Sequence, residues 1–498
     1  MAGNSAPRAS CACGSAEYGA GVTGVPSQPA SGYSALADRE AVLSALTRLI
    51  ADAWESFERP RPVEPGLDAD LRERLANPIP ELPVDPGQVL ADAARVLDES
   101  ASPARPLYLA YIGSTGLEVG VLAEALAATY DVNLAVTARA ADLLEQQAVR
   151  WVAEFVGYPS AEGAFTSGGM ISNLTGILVA RERALPGCRH TGFAGRQGAV
   201  YYSAEAHHSV ARAVEAAGIG SDFARLLGQD ELRRMRADEL DAALRADREA
   251  GIVPVAVVAN GGTTLTGAVD PIDEVADVCE AHGVWLHVDG AYGLAAAATE
   301  TAGPLFAGLQ RADSATLDAH KWLGLQKSCS LILVREAGAL EAAFGHEEAY
   351  MRRDSVVRNA VERTLEYSRP LRSLKLWLAF RTHGATAFRQ WIEGTLALAR
   401  RLADELRDDP EFELLCEPPL STVCFRHTPE ELGAEDLDAH NTALAAAAQE
   451  DGRVFLASAV VDERVCLRAC FVNFRTRPED VDLLVEVVRE LGSAPRPI

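Results

Sequence analysis

Lysine is scarce in this chain. Only three of its 46 basic residues are lysines, at Lys321, Lys327 and Lys375, and all the others are arginines. An arginine can replace a lysine wherever a solvated positive charge is enough, but its guanidinium does not act as an amine nucleophile. The count leaves two interpretations open: the three lysines are chance survivors of an arginine bias, or at least one is needed as an amine.

Positive charge as a whole is also in deficit, with 46 basic residues against 71 acidic ones and a formal net charge of −25. A polyanion partner requires a basic face, so this balance argues against nucleic-acid binding. The sequence contains no run of 18 apolar residues, and we therefore expect no membrane-spanning helix. The first residues lack a charged start followed by an apolar block, so we expect no secretory signal.

The nine cysteines show no spacing that indicates a disulfide framework. Cys11 and Cys13 lie in a stretch rich in small residues, without the second pair that a metal site would need. His346 belongs to a His-Glu-Glu segment that lacks the second histidine of a zinc motif. We predict reduced thiols in a cytoplasmic protein and no metal site.

The length and composition predict a folded protein of two or three domains, since 48% of the 498 residues are hydrophobic and 23% are charged. We predict a disordered tail over residues 1–35 and an N-terminal helical segment over 36–117. A large domain is predicted over 118–388 and a small C-terminal α+β domain over 389–498.

In the predicted large domain, short apolar runs alternate with longer helical patterns. The strand-like runs lie at 200–203, 253–259, 285–288 and 331–334. Strands that alternate with helices indicate an α/β fold, with a mostly parallel sheet covered by helices. Ligands of such sheets bind beyond the carboxyl ends of the strands, so the residues that follow each strand are the candidate site residues.

Two glycine-rich turns occupy such positions. The TSGG segment at 166–169 precedes a helical stretch, where free N–H groups and the helix dipole favour an anion such as phosphate. The GGTT segment at 261–264 follows a predicted strand, where glycine permits close approach and threonine can hydrogen-bond a ligand. Each segment alone is equally compatible with an ordinary helix cap or βα turn.

Three single residues stand out beside these turns. His207 follows one predicted strand and is suited to stacking on a planar ring, although a helix cap is the alternative. Asp289 ends an apolar strand, where burial without a partner costs several kcal/mol, so it needs a cation or a donor unless it caps a helix. Lys321 lies between a histidine and a tryptophan, a setting that favours covalent chemistry of its amine.

Taken together, these segments resemble the group II pyridoxal-phosphate-dependent amino-acid decarboxylases, the family of aromatic-amino-acid and glutamate decarboxylases. The resemblance extends from about residue 106 to residue 491, in the family's order. FTSGGMISNL resembles the family's phosphate loop, AHHSV its ring-stacking histidine segment and GGTTLTGAVDP its substrate-side loop. HVDGAYG and DAHKWL resemble its aspartate and lysine motifs, and RSLKLW and LRACFVNFRT also match.

The resemblance implies a fold-type-I enzyme with pyridoxal 5'-phosphate as cofactor and an active site at the interface of a homodimer. It implies that Lys321 binds the cofactor covalently, that Asp289 pairs with the pyridine nitrogen and that His207 stacks on the ring. The other implied cofactor contacts are Thr264 and Ala291 along the ring, and Ser167, Gly168, Gly169, Asp318 and His320 around the phosphate. Tyr111 and Ser114 match positions that line the substrate side pocket.

The sequence departs from the family pattern in two places. The family has a mobile loop whose tyrosine returns a proton after decarboxylation, and the matching position in this chain is Ala360, flanked by Tyr350 and Tyr367. Gly113 stands where the family has a side-pocket proline, and Ala-Arg-Ala at 138–140 replaces a frequent Ser-Pro-Ala. These departures affect the proton donor and the substrate side chain.

We predict decarboxylation of an L-amino acid, with an aromatic or apolar side chain favoured, to an amine and CO2. The alternatives are oxidative decarboxylation–deamination to an aldehyde, another C–C lyase reaction, or a silent relative that acts as a scaffold. The presence of both Lys321 and Asp289 argues against the silent relative. The predicted partners are the amino-acid substrate and a second copy of the chain.

Overall fold

The computed structural model describes residues 38–58, 68–100, 102–135, 138–346 and 359–493, so the predicted tail lies outside the described residues. The helices are α1 (Arg39–Phe57), α2 (Ala69–Leu75), α3 (Pro86–Asp98), α4 (Glu118–Tyr130), α5 (Ala140–Val156), α6 (Gly169–Ala184), α7 (Cys188–Thr191), α8 (His208–Ala216), α9 (Ala237–Glu249), α10 (Ile272–His282), α11 (Ala339–Phe344), α12 (Ser373–Asp408), α13 (Leu437–Asp451) and α14 (Pro478–Ser493). The strands are β1 (Glu162–Thr166), β2 (Gly198–Ser203), β3 (Ala224–Leu227), β4 (Val253–Asn260), β5 (Trp285–Asp289), β6 (Ser314–Asp318), β7 (Ser330–Val334), β8 (Phe412–Leu414), β9 (Thr422–His427), β10 (Ala457–Val461) and β11 (Arg464–Cys470).

The large sheet has seven strands in the order β1-β7-β6-β5-β4-β2-β3. Strands β2 to β6 run parallel to one another, whereas β7 is antiparallel to both β1 and β6. The connection from β6 to β7 contains no helix. A connection of this kind can join antiparallel strands, whereas parallel strands need a longer crossover, which is usually a helix. The prediction of a mostly parallel sheet is confirmed, with β7 as the exception.

Helices cover both faces of this sheet. Val257 and Ala259 of β4 pack in one core with α5, α9 and α10, while Ala256 and Val258 pack in another core with α6 and α8. Successive side chains of a strand point to opposite faces, so a strand buried on both sides has apolar residues at every position. This explains why β4 is a continuous apolar run in the sequence.

The long helix α12 leads from the large sheet to the C-terminal domain. Its helical geometry is interrupted at Gly384, which has a φ of 78°, and the predicted domain boundary at 388–389 lies just beyond this point. The second half of α12 packs with α13 and α14 against an antiparallel sheet of order β10-β11-β9-β8. The α+β character predicted for this part of the chain is confirmed.

No helix within the described ranges is long and apolar enough to cross a membrane.

Candidate active site

The carboxyl ends of β4, β5 and β6 meet at one edge of the large sheet. Asn260 pairs with Asp289 and Asp289 with Thr316, while Asp318 pairs with Ser330 of β7. A cavity of about 230 Å³ opens at this edge. Its lining comprises Gly169, Met170, His207, Ser209, Asn260, Gly262, Thr263, Thr264, Asp289, Ala291, Tyr292, Asp318 and Lys321. Seven of the residues predicted from the sequence are therefore in one place.

Lys321 lies in the connection between β6 and β7, and its side chain is 21% exposed. Its Nζ lies 3.1 Å from Oδ2 of Asp318. The same carboxylate accepts a hydrogen bond from the Ser330 hydroxyl and lies 3.6 Å from Nε2 of His320. Asp318 lines the cavity with its carboxylate beside the Lys321 amine. Its assignment to the phosphate stays a prediction.

Asp289 ends β5 with only 6% of its surface exposed. Its Oδ2 accepts a hydrogen bond of 2.8 Å from Nδ2 of Asn173, and its Oδ1 accepts one of 3.2 Å from the backbone N–H of Ala291. Burial raises the pKa of Asp289, while the charge of Lys321 and these two hydrogen bonds oppose the rise. A buried carboxylate on a cavity wall is suited to a cationic group of a bound molecule.

A chain of hydrogen bonds behind Asp289 fixes the orientation of Asn173. A carboxylate only accepts, so the amide NH2 of Asn173 must face Asp289 and its Oδ1 must face His287. The Oδ1 lies 3.0 Å from Nε2 of His287, whose Nδ1 lies 2.8 Å from Oγ of Ser314. The indole N–H of Trp285 donates to the same Oγ at 2.8 Å, so each proton in the chain points toward Asp289.

His287 is fully buried, and burial lowers its pKa to about 3. The imidazole therefore stays neutral at neutral pH, with its proton on Nε2. The sequence analysis did not select Asn173 or His287. The available signal was the position of His287, two residues before Asp289 on the same face of an apolar strand.

Gly169, in the glycine turn before α6, has no room for a larger side chain. A methyl group at Gly169 would lie 2.8 Å from Oδ2 of Asp318 and 3.1 Å from Cβ of Ala291. Gly169 opens a 16-residue helix, whose N-terminal N–H groups favour an anion. Ser167 and Gly168 directly precede it but do not line the cavity, and the assignment of all three to the phosphate stays a prediction.

Two of the predicted histidines occupy different environments. His207 caps α8, with its Nδ1 accepting from the backbone N–H of Ser209 at 3.2 Å, and it is exposed at the mouth of the cavity. His320 is buried behind Lys321, where its Nδ1 lies 3.3 Å from the backbone N–H of Cys329, which can donate to it. Burial lowers the pKa of His320. His207, rather than His320, therefore lies where its side chain can contact a bound ring.

Glu205 connects the two loops that flank the cavity. Its Oε2 accepts hydrogen bonds from the hydroxyls of Thr263 at 3.1 Å and Thr266 at 3.0 Å. Its Oε1 lies 2.9 Å from Nη1 of Arg233, which also pairs with Asp462 of the C-terminal domain. The His207 segment and the Thr264 loop are thus held to each other and to the small domain.

The residues predicted for the substrate pocket lie outside this cavity in the single chain. The Ser114 hydroxyl donates to the backbone oxygen of Leu325 at 2.7 Å, and Tyr111 is 58% exposed. Ala360 is buried, Tyr367 is partly exposed, and Tyr350 lies outside the described residues. The roles given to these positions remain predictions.

Arg468 is a candidate binding residue next to the cavity loops that the sequence analysis did not select. Its Nη1 donates to the backbone oxygen of Ala110 at 2.8 Å and its Nε to that of Leu265 at 3.3 Å, which places it beside Tyr111 and Thr264. Within the described part of the chain its buried Nη2 has no hydrogen-bond partner. The available signal was a charged residue inside the apolar strand β11.

Comparison with known proteins agrees with this geometry. A family model described as the pyridoxal-dependent decarboxylase conserved domain matches residues 69–428. An aromatic-L-amino-acid decarboxylase of Bacillus atrophaeus is 33% identical over 443 residues, which cover 87% of this chain and 91% of that protein. A cysteine sulfinic acid decarboxylase of Rattus norvegicus is 33% identical over 296 residues, 58% of this chain and 60% of that protein.

The fold is also that of a solved relative. The crystal structure of Oryza sativa TDC with PLP and tryptamine superposes with a TM-score of 0.86 at 25% identity, covering 94% of this chain and 99% of that one. The family match covers well over half of the sequence and includes the cavity residues. The chain therefore belongs to the pyridoxal-dependent decarboxylases, enzymes that use pyridoxal phosphate to remove a carboxyl group from an amino acid.

Proposed function

We propose that this protein decarboxylates an L-amino acid with an aromatic or apolar side chain, releasing the amine and CO2. The observation that carries the proposal is the presence of Lys321 and Asp289 on the wall of one cavity. An amine and a buried carboxylate are the two groups needed to bind an aldehyde carbon and a protonated pyridine nitrogen. The Bacillus atrophaeus relative, matched over most of both chains, supports the aromatic class.

The described residues fit pyridoxal phosphate. When bound, the cofactor supplies a ring that accepts the electrons released as CO2 departs. Nζ of Lys321, held 3.1 Å from Oδ2 of Asp318, is the primary amine that would bind the aldehyde carbon. Asp289, oriented by Asn173 and Ala291, would hold a proton on the ring nitrogen. The exposed ring of His207 would cover one face of the cofactor.

The charges around the cavity favour a substrate without an acidic side chain. Among the lining residues the cation is Lys321, which the cofactor occupies, and Asp289 and Asp318 would repel a second carboxylate. Arg139 is exposed and does not line the cavity. Arg468 has a buried N–H group that no described residue bonds, and this suits the α-carboxylate that all amino-acid substrates share.

The test is a substrate screen with three products measured together. We expect the purified enzyme with pyridoxal phosphate to release CO2 and an equal amount of amine from aromatic amino acids, with a higher kcat/KM than for glutamate or cysteine sulfinate. A preference for either acidic substrate would overturn the proposed substrate class. Ammonia and peroxide formed in equal amounts with CO2 would instead show oxidative conversion to an aldehyde.

We further infer that the enzyme is a homodimer, because two helices expose apolar side chains that no other described residue covers. Helix α1 has no buried residue, and its Leu43 is 54% exposed. On α4, Leu122 and Leu126 are each at least half exposed. Apolar surface of this kind is typical of subunit interfaces, and two-fold dimers are the commonest closed assembly.

A cytoplasmic location is part of the same proposal. The seven cysteines in the described ranges are all free, and six of them are buried. Cys424 has other thiols as neighbours and is still unpaired. Thiols persist in this state in reducing compartments.

Substitution of Asn173 by leucine tests the hydrogen-bond chain behind Asp289. The change keeps the branched shape of the side chain but removes the charge-assisted donor, so we expect the dissociation constant of pyridoxal phosphate to rise about tenfold. The measurement is cofactor fluorescence titration of the apoenzyme, which requires no turnover. Thr175→Val on the same helix, where the hydroxyl bonds only the backbone oxygen of Ile171, is the matched control. An unchanged dissociation constant in Asn173→Leu would remove the orienting role.

A further inference from the structure

Three cysteines lie side by side in the small C-terminal sheet. Cys416 follows β8, Cys424 lies on β9 and Cys466 lies on β11. They pack in one cluster with Val461, and the thiol of Cys424 contacts both of the others. Cys424 and Cys466 are buried, whereas Cys416 is partly exposed. The cluster therefore has one accessible sulfur and two enclosed ones.

The strand register disfavours one of the two possible pairs. Cys424 is directly opposite Arg468, so Cys466 is its diagonal neighbour. Diagonal neighbours lie roughly 7–8 Å apart, which exceeds the Cα separation of about 4.4–6.8 Å in a disulfide. The backbone N–H of Leu415 donates to the carbonyl of Cys424 at 3.0 Å, so Leu415 lies opposite Cys424 and Cys416 is one position further along, beyond the end of β8. The Cys416 thiol contacts that of Cys424 from this position, so Cys416 and Cys424 are the pair that we select.

Cys416 has the surroundings of a reactive thiol. It lines a cavity of about 1000 Å³, together with Arg233, which gives small solutes access to the sulfur. Contact with the Cys424 thiol and the charge of Arg233 lower the pKa of Cys416, while burial and the carboxylates of Glu205 and Asp462 oppose this. The thiolate is the nucleophilic form of cysteine, so an accessible thiol with a lowered pKa is the first to be oxidised.

Cys424 also contacts the loop that lines the cofactor cavity. Its Sγ donates to the backbone oxygen of Leu265 at 3.3 Å, and Nε of Arg468 donates to the same oxygen. Leu265 directly follows Thr264, a lining residue of the cavity. Loss of the Cys424 proton removes one of the two hydrogen bonds that hold this loop on the small sheet.

We propose that Cys416 and Cys424 form a redox-sensitive pair, which hydrogen peroxide converts to an intramolecular disulfide that loosens the Thr264 loop and weakens cofactor binding. In the first step the Cys416 thiolate attacks the peroxide, an S–O bond forms, the O–O bond breaks and hydroxide leaves. In the second step Cys424 attacks the oxidised sulfur, the S–S bond forms and the S–O bond breaks. The Cys424 proton leaves with the oxygen, so two thiols and one peroxide give one disulfide and two waters.

The sequence allows the disulfide to be mapped directly. No basic residue lies between Asp408 and Phe425, so trypsin releases both cysteines in one peptide, 408–426, and places Cys466 in the separate peptide 465–468. We expect peptide 408–426 of the untreated holoenzyme to take up two alkyl groups. After hydrogen peroxide it takes up none and is lighter by two hydrogens, and dithiothreitol reverses the change. A peptide that stays doubly alkylated, or one cross-linked to 465–468, overturns the proposal.

Variants separate the thiol chemistry from its effect on the cofactor. Cys424→Ser is expected to leave Cys416 as a sulfenic acid that dimedone captures, and Cys466→Ser to leave the disulfide intact. Oxidation should raise the dissociation constant of pyridoxal phosphate several-fold in the wild type and in the buried-cysteine control Cys279→Ser, but not in Cys416→Ser. A disulfide without a change in cofactor affinity refutes the link to the loop. The measurement of cofactor affinity rests on the proposed function. The peptide mapping of the disulfide depends on neither substrate nor turnover, so failure of the proposed function would not affect it.

Discussion

Lys321→Arg is expected to abolish turnover, with kcat reduced by about a thousandfold or more. The substitution keeps the positive charge, and the ion pair with Asp318 can still form. A guanidinium, however, does not bind an aldehyde carbon as an amine does. The result would separate the need for charge at this position from the need for a primary amine.

The measurement combines kinetics with a covalent trap. Borohydride reduction should fix the cofactor on the tryptic peptide that contains Lys321 in the wild type and leave the variant unlabelled. Lys327→Arg is the matched control, because Lys327 is exposed and lies in the same connection between β6 and β7. Near-normal turnover in Lys321→Arg would contradict the covalent role, and equal loss in both variants would indicate a structural effect.

Asp289→Asn is expected to lower kcat by about a hundredfold to a thousandfold, the range seen when one electrostatic contact is removed from a transition state. The neutral amide cannot keep a proton on the pyridine nitrogen, so the ring loses much of its capacity to accept electrons. The fold should persist, because an asparagine oxygen can still accept the hydrogen bond that Asn173 now donates to the carboxylate. We therefore expect a smaller effect on cofactor affinity than on kcat.

The test compares kcat with the dissociation constant of pyridoxal phosphate in the same preparation. Asp313→Asn is the control, since Asp313 directly precedes β6 at the amino end of the sheet, opposite to the cavity. An Asp289→Asn enzyme with normal kcat would remove the electron-accepting argument. Equal losses in kcat and in cofactor affinity would show that Asp289 only holds the cofactor in place.

The sequence predicted those parts of the site that follow from local pattern. Asp289 ends an apolar run and Lys321 lies shortly before another, and the sheet brings both to one edge, where they line the cavity. In the large sheet, strands β1, β3 and β6 were not predicted, because none of them has a clear apolar run of its own. The α/β class did not depend on those three strands.

The hydrogen-bond partners could not be predicted in the same way. Asn173 and Asp289 are 116 residues apart in the chain, and their contact depends on how α6 packs across the sheet. The direction of a side chain is equally hidden: the family resemblance placed Asp318 among the cofactor contacts, but only the structure shows its carboxylate on Lys321. The hydrogen-bond partner of a side chain depends on tertiary packing, and residue type and spacing carry no information about that packing.

Arg233 has a consequence for how the two domains can be recombined. It pairs with Glu205 behind the cofactor cavity and with Asp462 in the turn between β10 and β11. A chimera that took its C-terminal domain from a relative without an acid at that turn would leave one side of the guanidinium without a partner. The two domains therefore contribute one partner each to this ion pair, and a chimera would keep it only if both domains came from the same protein.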